Sequence, residues 1–112
     1  LREAYCLTKE QLKVGKTGRE IDAPARAYFT KHGLSRYLVS PFVHTIGLHE
    51  AESPFFGPGS DDVLVPGMTV CVDVSFFGHP EFHGVRIETG YEITEQGAVP
   101  FSPMMDSIHT AL

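Results

Sequence analysis

One histidine and two carboxylates, each in or beside a short apolar run, carry the chemistry this chain could perform. His44 follows Phe42-Val43 and opens His44-Thr45-Ile46-Gly47-Leu48. Asp73 sits within Val70-Cys71-Val72-Asp73-Val74, and Glu88 ends Gly84-Val85-Arg86-Ile87-Glu88. An imidazole nitrogen with carboxylate oxygens is a borderline-to-hard donor set that suits Mn, Co, Fe or Zn. A surplus of carboxylates favours a pair of divalent ions over one closed zinc. Two ions about 3.5–4 Å apart can hold a hydroxide between them and polarise a scissile carbonyl, which points to a metal-dependent hydrolase.

Each residue also has a plainer account. A charge at Asp73 among valines is costly unless it is paired or bound to a cation, and an ion pair with Arg86 would satisfy it. On a strand, Arg86 and Glu88 share one face and Val85 and Ile87 the other, so Glu88 also fits a polar sheet face with a cross-strand pair. A lone His44 fits a hydrogen-bonded core position. His49, His79 and His83 are weaker candidates, and the last two fall in a Gly/Pro-containing connection. Cys71 lies inside an apolar strand pattern and reads as a small buried hydrophobe, while Cys6 lies on a helix face. No disulfide is expected, and a reducing cytoplasmic setting fits.

The elements that must position these groups read as helices first and strands after. Residues 1–13 form a helical pattern, and residues 14–18 (Val-Gly-Lys-Thr-Gly) a turn. Thr17 and Glu20 match a capping box for a second helix. Pro24 conflicts with an uninterrupted helix, so either Asp22 is the true N-cap or the helix kinks at Pro24. Gly33 closes it. Strands are expected over residues 42–46, 69–77, 85–93 and 98–101, with a loop over residues 53–62 and a hairpin turn at Glu95-Gln96-Gly97. The result is an α+β chain, two helices followed by an antiparallel meander. At 112 residues, 42% apolar and 21% charged, it is one domain at most. A net charge of −5 with no Lys/Arg cluster excludes a nucleic-acid partner, and no apolar run reaches the roughly 18–20 residues of a membrane span.

In this order the motifs resemble the pita-bread metallopeptidases, the family of methionine aminopeptidase, Xaa-Pro aminopeptidase, prolidase and creatinase. Residues 14–22 resemble the family's turn into its second helix, and His44-Thr45-Ile46-Gly47-Leu48 its histidine-ligand strand. Leu64-Val65-Pro66-Gly67-Met68 resembles its Leu-x-Pro-Gly-Met turn, and Gly84–Glu88 its last ligand strand. The resemblance implies two divalent ions (Mn, Co, Fe or Zn), with His44 and Asp73 on one ion and Glu88 bridging both. The family's other ligands, two Asp from an upstream hairpin, have no counterpart, since the only Asp before His44 is Asp22 on an expected helix. Residues 1–112 are therefore expected to be the C-terminal portion of a pita-bread catalytic domain, completed by a missing N-terminal portion. Alone, such a portion is expected to bind metal weakly and to be inactive, with an unpaired sheet edge.

Two departures stand out. The family's second histidine follows the ligand histidine by seven positions, which here is Ala51. A two-residue deletion would instead bring His49-Glu50 onto the family's His-Glu pair. The family's Glu-Pro-Gly is replaced by Asp73-Val74-Ser75, one methylene shorter at the ligand. The leading expectation is a hydrolase of the Xaa-Pro peptidase or aminopeptidase type, a metal-bound hydroxide attacking a peptide carbonyl. His49, Glu50 or Glu52 would handle the proton, and Phe55 and Phe56 would wall the substrate pocket. A creatinase-like enzyme acting on a small amine or carboxylate metabolite is the alternative. A metal-free recognition domain on the same fold is another, and homodimerisation is left open.

Overall fold

The computed structural model describes residues 1–111. Helix α1 (Arg2–Glu10) buries Ala4, Tyr5 and Thr8 and ends earlier than its apolar pattern. Helix α2 (Gly18–Lys31) starts on the expected capping box: the Thr17 hydroxyl accepts from the Glu20 amide, and Glu20 Oε1 accepts from the Thr17 amide. Both amides lack an intrahelical partner, so the box stabilises the first turn. Asp22 is therefore not the N-cap. It is buried inside the helix, where Arg26 donates to both of its carboxylate oxygens at 2.5 and 2.9 Å. Pro24 also lies within α2. Its missing amide forfeits one internal bond, but burial of Ile21, Ala25 and Phe29 holds the helix against the core.

Gly33 ends α2 as expected, at φ +71°. The Leu34 amide donates to Phe29 O and the Gly33 amide to Thr30 O, the paired bonds of a Schellman stop. A short 3₁₀ turn, Ser35–Tyr37, leads into the strands β1 (Val43–Thr45), β2 (Glu52–Phe55), β3 (Thr69–His79), β4 (His83–Thr94) and β5 (Gly97–Pro100). They form one antiparallel sheet in the order β2-β1-β3-β4-β5. β2 corrects the expectation of a continuous loop over residues 53–62. As an edge strand it tolerates Pro54, whose missing amide needs no ladder partner there. A third helix, α3 (Pro103–Thr110), adds to the two expected. Ser102 caps it by accepting from the Met105 amide, and Pro103 occupies its first turn.

The Pro66-Gly67-Met68 turn sets the register of the two long strands. Gly67 takes φ +89°, its amide donates to Ile93 O at 2.8 Å, and the Ile93 amide donates to Met68 O at 2.8 Å. Thr69 then faces Glu92, and the ladder runs down to Asp73 opposite Glu88. A one-residue slip would send every side chain of the strand to the other face.

Alternation divides the sheet into two faces. Val43, Val70, Val72, Val74 and Tyr91 are buried in the core with Tyr5, Ile21 and Phe29 of the helices. A polar chain ties α3 to this side: Lys9 to Asp106 at 2.8 Å, Tyr91 to Asp106 at 2.5 Å, and Tyr5 to Tyr91 at 2.7 Å. His44, Cys71, Asp73, Ser75, Arg86 and Glu88 occupy the opposite face, as the registers His44–Cys71, Asp73–Glu88 and Ser75–Arg86 require. Among the described residues no helix is long and apolar enough to cross a membrane.

Candidate metal site

Three strands bring the expected ligands together. β1 carries His44, β3 carries Asp73 and β4 carries Glu88. His44 Nε2 lies 3.3 Å from Glu88 Oε2 and 3.5 Å from Asp73 Oδ2. Its other nitrogen, Nδ1, faces the Thr45 carbonyl at 3.2 Å. With that nitrogen donating, Nε2 of the neutral ring is the lone pair aimed at the carboxylates, the orientation that backbone carbonyls impose on metal-binding histidines.

The electrostatics favour positive charge at this point. The hydrogen bond with Asp73 raises the pKa of His44 above the ordinary value, against burial, which lowers it. Burial pushes the Asp73 carboxyl up, but the hydrogen bonds from His44 and Arg86 outweigh it and hold Asp73 below the usual range. The Arg86 guanidinium supplies positive charge beside the two carboxylates. Arg86 Nε donates to Asp73 Oδ1 at 2.9 Å, and Nη2 donates to Glu88 Oε1 at 3.0 Å and Glu50 Oε1 at 3.1 Å. The ion pair between Asp73 and Arg86 is thus real and coexists with the ligand geometry.

Cys71 joins the same cluster. One donor atom each from His44, Cys71 and Glu88 lie within 4.8 Å of one another. Burial and the neighbouring Glu88 carboxylate push its thiol up to about 12. The sequence pattern places Cys71 as a buried small residue, and it is buried. Its side chain, however, points toward the polar face. The signal was present in the alternation: Cys71 and Asp73 are two apart and so share a face. The donor set of an imidazole, a thiol and two carboxylates fits a divalent ion.

The remaining candidates are spread around this cluster. Glu50 is exposed and reaches it through Arg86. His49 lies on the same connection as Glu50, and its amide donates at 3.2 Å to Oε1 of Glu52, the first residue of β2. Phe55 faces His44 across the β1–β2 pair and is half exposed, whereas Phe56 is fully buried in the core. Gly90, the partner of Cys71 on β4, has no side chain; a Cβ there would lie 2.9 Å from Phe101 and 3.6 Å from Ile46. These two residues cover that end of the face with apolar surface. A groove of about 590 Å³ lined by Cys6, Lys9, Leu12, Glu95 and Ala98 lies between α1 and the β4–β5 turn and contains none of the cluster's donors.

Residues 1–95 match the model of the family described as metallopeptidase family M24. The probable dipeptidase PepE of Mycobacterium tuberculosis is 37% identical over 99 residues, covering 88% of this chain and 26% of that protein. Among solved structures, an Xaa-Pro dipeptidase from Bacillus anthracis superposes with a TM-score of 0.80 at 39% identity, over 90% of this chain and 29% of that one. A prolidase from Pyrococcus furiosus gives 0.79 at 30% identity, over 98% and 30%. The chain spans about a quarter of the length of the curated relatives it matches.

Proposed function

Since the chain belongs to metallopeptidase family M24, with the α+β fold of the C-terminal part of the prolidases, we propose that it contributes to the site of a metal-dependent Xaa-Pro dipeptidase. The observation that carries the proposal is the convergence of His44 Nε2, Asp73 Oδ2 and Glu88 Oε2 on one sheet face, within 3.5 Å of the imidazole nitrogen. Divalent ions held there supply Lewis acidity toward water and a peptide carbonyl.

The chain's own residues do the rest. His44, Asp73 and Glu88 would hold the ions, with the Thr45 carbonyl orienting the imidazole. Arg86 braces the Asp73 and Glu88 carboxylates so that neither swings into solvent. The 49–52 connection, carrying His49, Glu50 and Glu52, supplies the proton-handling group, and Phe55 offers an apolar wall beside His44. Ligands from outside these residues complete the site.

A metal-free recognition domain on the same fold is the competing reading. The Arg86–Asp73 pair favours it, because a guanidinium already neutralises that carboxylate. Hydrolysis of Xaa-Pro dipeptides by the full-length protein separates the two. After chelation and reconstitution with Mn, Co or Zn, the catalytic reading expects metal-dependent cleavage that His44→Ala reduces by at least about 100-fold. Folded protein with no cleavage under any of these ions would support the recognition domain.

A further inference from the structure

We propose that Cys71 is itself a metal ligand, forming with His44 and Glu88 a thiolate–imidazole–carboxylate trio that selects zinc over manganese. The proposal rests on the metal site above and specifies its ion. One donor atom from each of the three residues lies within 4.8 Å of the others. Two donors on a tetrahedral zinc stand about 3.5 Å apart, given metal–ligand bonds of about 2.0–2.3 Å. The His44–Glu88 separation of 3.3 Å already has that spacing. From separations of at most 4.8 Å, the trio therefore closes on an ion with a contraction of about 1.3 Å at most.

The neighbours explain why the thiol takes this place. Asp73 Oδ2 lies 3.5 Å from His44 Nε2, but Arg86 Nε holds its other oxygen at 2.9 Å, and the mutually close trio of donors is His44, Cys71 and Glu88. Cys71 is two residues away on the same face and directly opposite His44 on β1. Gly90, its partner on β4, leaves no side chain between the thiol and Glu88. Phe101 and Ile46 close over that glycine and give the sulfur an apolar wall. Coordination forms a sulfur–metal bond as the S–H bond breaks, and the proton leaves to solvent with no change of oxidation state. Three protein ligands leave one position of a tetrahedral ion open, as in catalytic zinc sites. Thiolate donors favour zinc, while manganese prefers oxygen.

The test is cobalt and zinc binding to the full-length protein. Wild-type protein with cobalt(II) should show visible d–d bands together with near-ultraviolet thiolate-to-cobalt charge transfer. Cys71→Ser should lose the charge transfer and keep the d–d bands, and Cys6→Ser should keep both. Zinc affinity should fall by more than about 100-fold in Cys71→Ser, beyond the loss usual for outer-shell partners, and manganese affinity by less than about 3-fold. Cobalt bound without charge transfer, or equal losses for zinc and manganese, would overturn the thiol ligand and leave the metal site standing. No cobalt binding at all would sink both. If Cys71→Ser does not fold, the wild-type spectrum and its Cys6→Ser control decide the matter.

Discussion

Replacing Arg86 by Met removes the guanidinium that braces the carboxylates on the polar face of the sheet while keeping most of its apolar stem. Arg86 makes three charge-assisted bonds, and burial ranks them. Asp73 accepts at 2.9 Å with its side chain 11% exposed, which is worth about 1.5–3 kcal/mol. Glu88 accepts at 3.0 Å and is 28% exposed, worth about 1 kcal/mol. Glu50 at 3.1 Å is 78% exposed and contributes less than about 0.5 kcal/mol. Arg86 is 41% exposed, so solvent screens all three, and bonds sharing one side chain are not additive, giving a net loss of about 2–3 kcal/mol. Asp73 and Glu88 directly face each other across β3 and β4, so their repulsion is what the variant exposes. Urea unfolding of the full-length protein should show this loss in chelator. It should shrink to about half or less in saturating zinc, because the ion replaces the missing positive charge. A loss under about 0.5 kcal/mol in chelator, or one undiminished by zinc, would refute the coupling between Arg86 and the cation site.

Other outcomes follow from particular contacts. Burial pushes the Asp106 carboxyl up, but hydrogen bonds from Lys9 and Tyr91 outweigh it and hold it below the ordinary value. Its stabilisation is therefore complete above about pH 4 and lost as pH falls through the lower folded value. Asp106→Asn should flatten that acid limb when urea midpoints are compared between neutral and acid pH. Gly18→Ala places a Cβ 2.5 Å from Ser60 Cβ and 3.0 Å from the Gly57 carbonyl. It should cost about 1–3 kcal/mol by the same unfolding assay, because backbone must move. Phe56→Ala should cost about 3–5 kcal/mol, and Phe55→Ala under about 1 kcal/mol, since Phe56 is 0% and Phe55 43% exposed.

Much of this architecture is legible in the residues. The Thr17–Glu20 box, the Gly33 stop and the Pro66-Gly67-Met68 turn are local devices whose hydrogen bonds involve near neighbours or glycine conformations, and they form as their patterns require. The alternation of β3 and β4 likewise separates valines from donors. What was hidden depends on partners distant in sequence. Glu52–Phe55 is rich in turn formers and becomes a strand only because β1 offers it a ladder. α3 carried a readable start in Ser102-Pro103, but its short span shows little periodicity, and it is held by Lys9 and Tyr91 from far upstream. Cys71 reads as a buried apolar residue because its neighbours are valines. Only the pairing of β1 with β3 shows that it faces His44.

The metal site proposed at the meeting point of β1, β3 and β4 predicts a bound divalent ion. Equilibrium dialysis of the chelator-stripped full-length protein against zinc or manganese, followed by elemental analysis, measures it directly. Wild-type protein should retain metal, and the double variant His44→Ala with Glu88→Gln should bind at least about 100-fold more weakly while remaining folded. Equal metal content in the two, or none in the folded wild type, would contradict the assignment.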